Sequence, residues 1–304
     1  METSPVGAAS AVAQASAGFT RIDIAELLRR YKPTLARWLP KGIVSALGKL
    51  VHIELINDFL EEHFEDEPTE FLKSAAAWMD IELAMLHAER LRDSLCQRPI
   101  VVANHPLGGP ESVLLMHEIA KTRPDLRMVS QELLLKLKPL APLLAPIPRQ
   151  NGRAYSGALM EAFQSERPLL LFPAGYCSRP LSFGAVYDFA WQKMFVKVAR
   201  KHGRPIVPIH ISGMNSNKFY RLSALRRGLG IKASLESLCL VDEMVAQRGG
   251  SLTMTIGTPI APEMLDQAIA DQEWADRIRQ YVYGLGRDSA LGFDPGLPAT
   301  LPLR

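Results

Sequence analysis

The chain has 304 residues, 47% of them hydrophobic, and its 35 Lys and Arg against 32 Asp and Glu leave a formal net charge of +3. This length and composition suffice for one large domain with a sizeable core. The small net charge argues against a nucleic-acid partner. Three scattered cysteines, an odd number, argue against a disulfide framework and favour a reducing, cytoplasmic compartment.

The N-terminal part of the chain differs from the rest in its composition and in the spacing of its apolar residues. Residues 1–20 are rich in Ala and Ser, without a basic opening or a long apolar run, which predicts a flexible tail rather than a secretory signal. Residues 21–78 show apolar side chains at helical spacing, with Asp23 placed to cap, and form a predicted small helical region. Within it, Tyr31–Leu50 mixes apolar and basic residues; packing against the main domain is favoured, and contact with an anionic lipid surface is the alternative.

Residues 79–290 alternate short apolar runs with helical patterns. Dense, uncharged runs bounded by Pro or Gly predict three buried strands, at Ile100–Ala103, Leu169–Phe172 and Ile206–Ile211. Helical patterns occur at Ser112–Lys121, Tyr155–Gln164 and Trp191–His202. Strands alternating with helices predict an α/β domain with a mostly parallel central sheet flanked by helices.

The remaining segments complete this domain. Leu252–Ile256 alternates and predicts another strand, followed by helices near Met264–Ala270 and Glu273–Tyr283. Asp80–Glu89 fits either a helix or a strand entering the sheet. Residues 291–304 are rich in Pro and predict an irregular tail.

The most apolar region of the chain is too interrupted to cross a membrane. No window reaches the roughly 18 uncharged apolar residues that a spanning helix requires, because Lys136, Lys138 and several prolines intervene. Any membrane contact is therefore expected from one side. Leu133–Ile147, rich in Leu and Pro, is interpreted either as the wall of an acyl-chain tunnel or as ordinary core.

The end of the first predicted strand carries a candidate catalytic pair. Ala103 is followed by Asn104-His105-Pro106-Leu107-Gly108-Gly109-Pro110-Glu111. Ligands of open α/β sheets bind at the carboxyl ends of the strands, and a Pro–Gly turn lets a substrate approach the backbone. Glu111 is placed to accept a bond from the imidazole of His105, which leaves the other ring nitrogen free to take a proton. A structural histidine beside an ordinary helix-start glutamate is the alternative.

A second polar cluster follows the strand that ends at Phe172. It reads Pro173-Ala174-Gly175-Tyr176-Cys177-Ser178-Arg179 and offers a hydroxyl, backbone amides and a guanidinium at the same sheet edge. This combination suits an anionic ligand, and a glycine turn with a surface arginine is the alternative. The third strand leads to further polar residues, Ser212–Tyr220, and His210 within it is interpreted as a packed histidine.

Together these clusters, spread over roughly Gln97–Pro262, resemble the signature blocks of the glycerophosphate and lysophospholipid acyltransferase superfamily. Asn104-His105 to Glu111 is similar to its histidine-plus-carboxylate motif, and Phe172-Pro173-Ala174-Gly175 with Ser178-Arg179 to its substrate-binding block. Val207-Pro208-Ile209 is similar to its last block, and Pro148–Arg153 to the intermediate one.

Three features are similar to the hemolysin-like branch of that superfamily, which is associated with bacterial ornithine and glycine lipids. They are the Pro-Leu-Gly-Gly turn after the histidine, Phe-Pro-Ala-Gly in the second block, and an Asn-Ser-Asn loop after the last strand. Two positions depart from the superfamily's usual pattern. Its acid is most often an Asp five positions after the histidine, where this chain has Pro110 and then Glu111. Ala174 replaces a common Glu, which implies an acceptor other than glycerol 3-phosphate.

The resemblance implies an O-acyltransferase that uses acyl carrier protein or acyl coenzyme A as donor. The acceptor would be the hydroxyl of a lysophospholipid-like or lyso-amino-acid lipid. His105 would be the general base, oriented by Glu111, with the Gly108-Gly109 amides at the oxyanion and no metal or redox cofactor. The residues implied in substrate binding are Asn104, Gly108, Gly109, Arg149, Arg153, Gly175, Ser178 and Arg179.

The expected location is peripheral, on the cytoplasmic face of a bacterial inner membrane. A serine hydrolase is disfavoured because the sequence has no Gly-x-Ser-x-Gly elbow, and Lys121 stands where a metalloprotease would have its second histidine. The alternative that stays open is a catalytically degenerate lipid-binding protein of the same fold.

Overall fold

The computed structural model describes residues 19, 21–23, 52–147, 156–180, 186–228 and 239–296. Over these residues the chain forms nine α-helices and nine β-strands. The strands are β1 Glu82–Leu86, β2 Ile100–Ala103, β3 Arg127–Gln131, β4 Leu144–Ile147, β5 Leu169–Leu171, β6 Arg179–Pro180, β7 Val186–Tyr187, β8 Ile206–Ile211 and β9 Ser251–Ile256. The helices are α1 Ile53–Glu62, α2 Pro68–Met79, α3 Ala88–Ser94, α4 Pro110–Ala120, α5 Ser156–Gln164, α6 Met194–His202, α7 Asn217–Gly228, α8 Leu240–Ala246 and α9 Asp271–Leu285.

Seven strands form the central sheet, in the order β1-β9-β8-β2-β5-β3-β4. Strands β8, β2, β5, β3 and β4 run parallel to one another. Strands β1 and β9 are parallel to each other, and β9 is antiparallel to β8. The predicted α/β class with a mostly parallel sheet is therefore confirmed. The short strands β6 and β7 pair separately as an antiparallel ribbon.

The central strands are apolar throughout because both faces of the sheet are covered. Successive residues of a strand point to opposite faces, and every residue of β2 is buried. Val101 and Ala103 belong to one core with residues of α2 and α4, whereas Ile100 and Val102 belong to a second core with residues of α6 and α9. This two-sided burial fixes the end of β2, where the candidate pair begins.

Most of the predicted elements match the structure. Strands are found at the three buried runs, although Phe172 lies just after β5, and the ambiguous segment 80–89 contains β1. The helix predicted near Met264–Ala270 is wrong: only a 3-10 turn, Pro262–Met264, occurs there. The sequence reading also missed β3 and β4. The edge strand β4 contains Pro146, and Pro disfavours a strand assignment although an edge strand tolerates it.

The described residues cover only part of the predicted N-terminal helical region. Helices α1 and α2 lie within it, as expected. The segment Tyr31–Leu50 lies outside the described residues. Among the helices of the described ranges, none is both long enough and apolar enough to cross a bilayer.

Candidate active site

His105 lies two residues after β2, at the carboxyl edge of the parallel strands. Its side chain is 15% exposed. The ring stacks on Phe172, which follows the neighbouring strand β5, with 4.3 Å between ring centroids and 30° between ring planes. Because Nδ1 is buried, the accessible part of the ring lies away from that atom. The imidazole is thus held against the Phe172 ring, and only a small part of its surface is exposed to solvent.

Glu111, in the first turn of α4, approaches the buried side of this ring. Its Oε1 atom lies 3.0 Å from His105 Nδ1, and its side chain has no exposed surface. At this distance the two groups form an ion pair when His105 is protonated, and Nδ1 has no other hydrogen-bond partner in the described structure. The structure therefore brings the predicted pair together.

The turn between His105 and Glu111 wraps around the carboxylate. Oε1 accepts the backbone N–H groups of Leu107 and Gly108, at 2.8 and 2.9 Å, and Oε2 accepts that of Gly109, at 3.0 Å. This geometry shows how an acid six positions after the histidine, rather than five, can reach the ring. Pro110 takes the first position of α4, where its missing N–H costs nothing.

These contacts keep the carboxylate ionised. Burial raises the pKa of Glu111, but the charge and hydrogen bond of His105 and the amides of Gly108 and Leu107 outweigh burial, so that the pKa is lowered overall. An anion beside Nδ1 favours the tautomer with the proton on Nδ1 and stabilises the imidazolium. The arrangement therefore suits a histidine that accepts a proton at Nε2.

The same contacts correct one expectation from the sequence. The amides of Gly108 and Gly109 were expected at an oxyanion, but both donate to Glu111. Gly108 has φ +90°, and a Cβ there would lie 3.1 Å from Leu240 Cδ2 and 3.2 Å from Cys177 Cβ. Glycine is therefore needed at this position for backbone shape and close packing.

Two asparagines hold the edge of the site. Asn104 donates from Nδ2 to the carbonyl of Ile211 at 2.8 Å and accepts the N–H of Ile211 at Oδ1 at 2.7 Å, which ties the ends of β2 and β8 together. Asn215 donates from Nδ2 to the carbonyls of Pro106 and Leu107, at 3.3 and 3.2 Å. This bonding favours a positioning role for Asn104 over the predicted contact with substrate. No role was predicted for Asn215 from the sequence, where its only signal was the Asn-Ser-Asn loop.

The second predicted cluster turns largely inward. Gly175 is exposed, with φ +72° and open space around its Cα. Ser178 is 1% exposed and donates its hydroxyl to Asp188 Oδ1 at 2.6 Å. Arg179 is 6% exposed; its guanidinium bonds the carbonyl of Cys177 at 2.9 Å and lies 4.6 Å from the centre of the Phe219 ring. Ser178 and Arg179 thus connect their loop to Asp188 and to α7. Their predicted contact with an anionic head group stays a prediction.

Comparison with known proteins decides the family. A family model described as acyltransferase matches residues 26–291. The chain belongs to this acyltransferase family. The resemblance inferred from the motifs is thereby confirmed.

Two relatives carry the same name. The lyso-glycine lipid O-acyltransferase of Bacteroides thetaiotaomicron is 33% identical to this acyltransferase over 87% of this chain and 97% of that protein. The protein of that name from Phocaeicola vulgatus is 32% identical over 87% of this chain and 95% of its own length. Among solved structures, the 1-acyl-sn-glycerophosphate (LPA) acyltransferase of Thermotoga maritima is similar at a TM-score of 0.46 and 17% identity, over 74% of this chain and 79% of that chain.

The remaining predicted parts of the site are two arginines and an apolar segment. Arg149 and Arg153 lie outside the described residues. In the segment Leu133–Ile147, Leu140, Leu143 and Leu144 are buried in the core. For these leucines the ordinary-core interpretation fits. A surface groove of about 680 Å³ lies between the end of α2 and the start of β9, and His105 does not line it.

Proposed function

We propose that this acyltransferase moves a fatty acyl group from an acyl thioester to the hydroxyl of a lyso-amino-acid lipid, of the lyso-glycine lipid kind. The single observation that carries the chemistry is the His105–Glu111 contact at the carboxyl edge of the sheet. The acceptor class rests on the two relatives named for lyso-glycine lipid, each matched over nearly its whole length. Ala174 agrees with this acceptor, because the Glu implied for glycerol 3-phosphate enzymes is missing.

In the proposed reaction His105 is the general base. Nε2 takes the proton of the acceptor hydroxyl as its oxygen attacks the thioester carbonyl, and the new C–O bond forms. The C–S bond then breaks, and the imidazolium returns the proton to the departing thiolate. Glu111 stabilises the imidazolium between these steps. General acid–base catalysis of this kind contributes about 10²- to 10⁴-fold.

We place the donor thioester on acyl carrier protein or coenzyme A, and the protein at the cytoplasmic face of a bacterial inner membrane. Two apolar side chains support a lipid-facing orientation of the His105 edge. Tyr176 follows β5 and is 61% exposed, and Met214 follows β8 and is 58% exposed. Both therefore stand in loops at the carboxyl edge that carries His105. Contiguous exposed apolar patches mark protein- or membrane-interaction surfaces, and we infer that these two side chains belong to such a patch at this edge.

The test uses purified full-length protein with lyso-glycine lipid and either acyl carrier protein or coenzyme A thioester, with the diacylated product measured by mass spectrometry. Wild type should form product, and His105→Ala should lose at least about 10²-fold in kcat. His202→Ala is the matched control, because His202 ends α6 just before β8 begins, at the opposite edge of the sheet. Near-normal turnover by His105→Ala would contradict the proposal. Lipid binding by wild type without any turnover would instead support the degenerate lipid-binding alternative.

A further inference from the structure

Asp188, the residue after β7, places a second carboxylate next to the backbone of His105. The residue is 1% exposed. Its Oδ1 accepts the N–H of His105 at 3.2 Å and the hydroxyl of Ser178 at 2.6 Å, and its Oδ2 accepts the indole N–H of Trp191 at 2.8 Å. One buried side chain therefore joins the loops after β2 and after β5 to the segment that leads into α6.

Burial of this group is costly, and its contacts offset part of the cost. Burial raises the pKa of Asp188; the bonds from Ser178, Trp191 and His105 lower it, but the pKa is raised overall. A carboxyl group is rarely kept in a protein interior unless its oxygens are hydrogen-bonded. Here the three donors come from separate stretches of chain, so the carboxylate acts as their common fixed point.

Helix α9 in turn fixes the backbone of Asp188. Its N–H donates to Tyr283 Oη at 2.7 Å, and its carbonyl accepts Arg279 Nη2 at 2.6 Å. Burial raises the pKa of the Tyr283 hydroxyl, which therefore stays protonated. A continuous series of buried bonds thus runs from α9 through Asp188 to His105.

Both backbone groups of His105 depend on this connection. Its N–H bonds Asp188, and its carbonyl accepts the N–H of Ser178 at 2.8 Å, while Ser178 itself bonds Asp188. Glu111 and Phe172 fix the ring, but they do not bond the main chain of this residue. Asp188 and Ser178 therefore set where the Cα of His105 stands relative to the loop after β5.

We propose that Asp188 is a positioning residue for the general base. Its Oδ1 atom accepts from both His105 and Ser178 and holds the backbone of His105 in the position from which Nε2 reaches the acceptor hydroxyl. This inference rests on the proposed function of His105. A displacement of about 1 Å in a reacting group is enough to cost about 10²-fold in rate. Loss of the shared acceptor should therefore lower kcat and leave substrate affinity largely unchanged.

The test compares two changes at Asp188 in a Trp191→Phe background, with Trp191→Phe alone as the reference. The Trp191→Phe background removes the indole N–H that donates to Oδ2. In Asp188→Asn, the amide oxygen can then stay at the Oδ1 position and accept from His105 and Ser178, while the NH2 group takes the Oδ2 position, where no donor remains. Asp188→Ala should lower kcat by about 10- to 10²-fold, with both KM values within about 2-fold of the reference. Asp188→Asn should recover kcat to within about 3-fold. A role in folding alone would lower the melting temperature without changing kcat per folded molecule.

Two further variants keep the outcome decisive. If the Asp188→Ala protein does not fold, Ser178→Ala removes one donor from Oδ1 and should lower kcat by about 3- to 10-fold at constant KM. Unchanged kcat in the folded variants overturns the inference, as does a Ser178→Ala change confined to KM for the lyso-lipid. His105→Ala in the same assay separates the two claims. If His105→Ala retains turnover, the proposed function fails. If His105→Ala loses turnover but the Asp188 and Ser178 variants keep their kcat, the positioning role alone fails.

Discussion

Replacement of Glu111 by Gln removes the charge beside His105 and changes little of the shape. An amide oxygen at the Oε1 position would still accept from Leu107 and Gly108, while the new NH2 group would face the N–H of Gly109. At the observed 3.0 Å between Oε1 and Nδ1, an imidazolium and a carboxylate attract by about 5 kcal/mol at an effective dielectric constant near 20. Since the substitution removes this attraction and keeps the shape of the side chain, we expect kcat to fall by about 10²- to 10⁴-fold.

The same substitution should change how stability depends on pH. The pKa of Glu111 is lowered in the fold from an ordinary value of 4.5, so the unfolded chain binds the proton more tightly than the native protein. The carboxylate therefore stabilises the fold above pH 4.5, and this contribution is lost as the pH falls through the lower native pKa. At pH 7, Glu111→Gln should cost about 1 to 3 kcal/mol, because one buried amide loses its acceptor.

Urea unfolding at neutral and acidic pH measures the stability, and the acyl-transfer assay measures kcat. The difference in unfolding free energy between wild type and Glu111→Gln should narrow as the pH falls below 4.5. Glu118→Gln is the control, because it removes a carboxylate of the same helix that bonds only Lys121 at the surface in the described structure. A folded Glu111→Gln protein with kcat within about 3-fold of wild type would refute the role assigned to Glu111.

Three further predictions concern other residues. Gly108→Ala should destabilise the protein by about 1 to 3 kcal/mol in thermal or urea unfolding, because φ is +90° and a Cβ would contact α8 and the loop after β5. Gly109→Ala is the control: a Cβ there has open space, so the stability of this variant should be close to that of wild type. Arg204→Met should cost at least about 3 kcal/mol in urea unfolding, because the buried guanidinium bonds the carbonyls of Phe163 in α5 and of Pro99 just before β2; unchanged stability would contradict this. Burial lowers the pKa of His210 from 6.5 to about 4, so the free energy of unfolding should decrease as the pH is lowered from 6.5 to about 4. The His210→Leu protein should lose less stability over this pH range, and an unchanged pH dependence would contradict the prediction.

The sequence was sufficient for the framework of the site. Buried strands such as Ile100–Ala103 are recognisable because a two-sided core demands an uninterrupted apolar run. The rule that polar loops meet at the carboxyl edge then places His105, Phe172 and Ser212 on one side of the sheet. The turn after His105 has the length that lets Glu111 approach the ring.

The details that decide chemistry depend on contacts that local patterns do not encode. Which acceptor the amides of Gly108 and Gly109 meet depends on the path of the turn: an oxyanion was expected from the family resemblance, and the structure shows Glu111 as the acceptor. Asp188 was missed because it lies 83 positions from His105, next to a strand of only two residues. The inward direction of Arg179 follows from its contact with Phe219 in α7, which is a tertiary contact.

The tautomer of His105 tests the central claim most directly, since a general base oriented by Glu111 must carry its proton on Nδ1. Nitrogen-15 NMR of histidine-labelled protein at neutral pH, with His105 assigned by comparison with His105→Ala, gives this state. We expect the proton on Nδ1 and an unprotonated Nε2. A neutral ring with its proton on Nε2 would contradict it, because that atom could not then accept a proton from the acceptor hydroxyl.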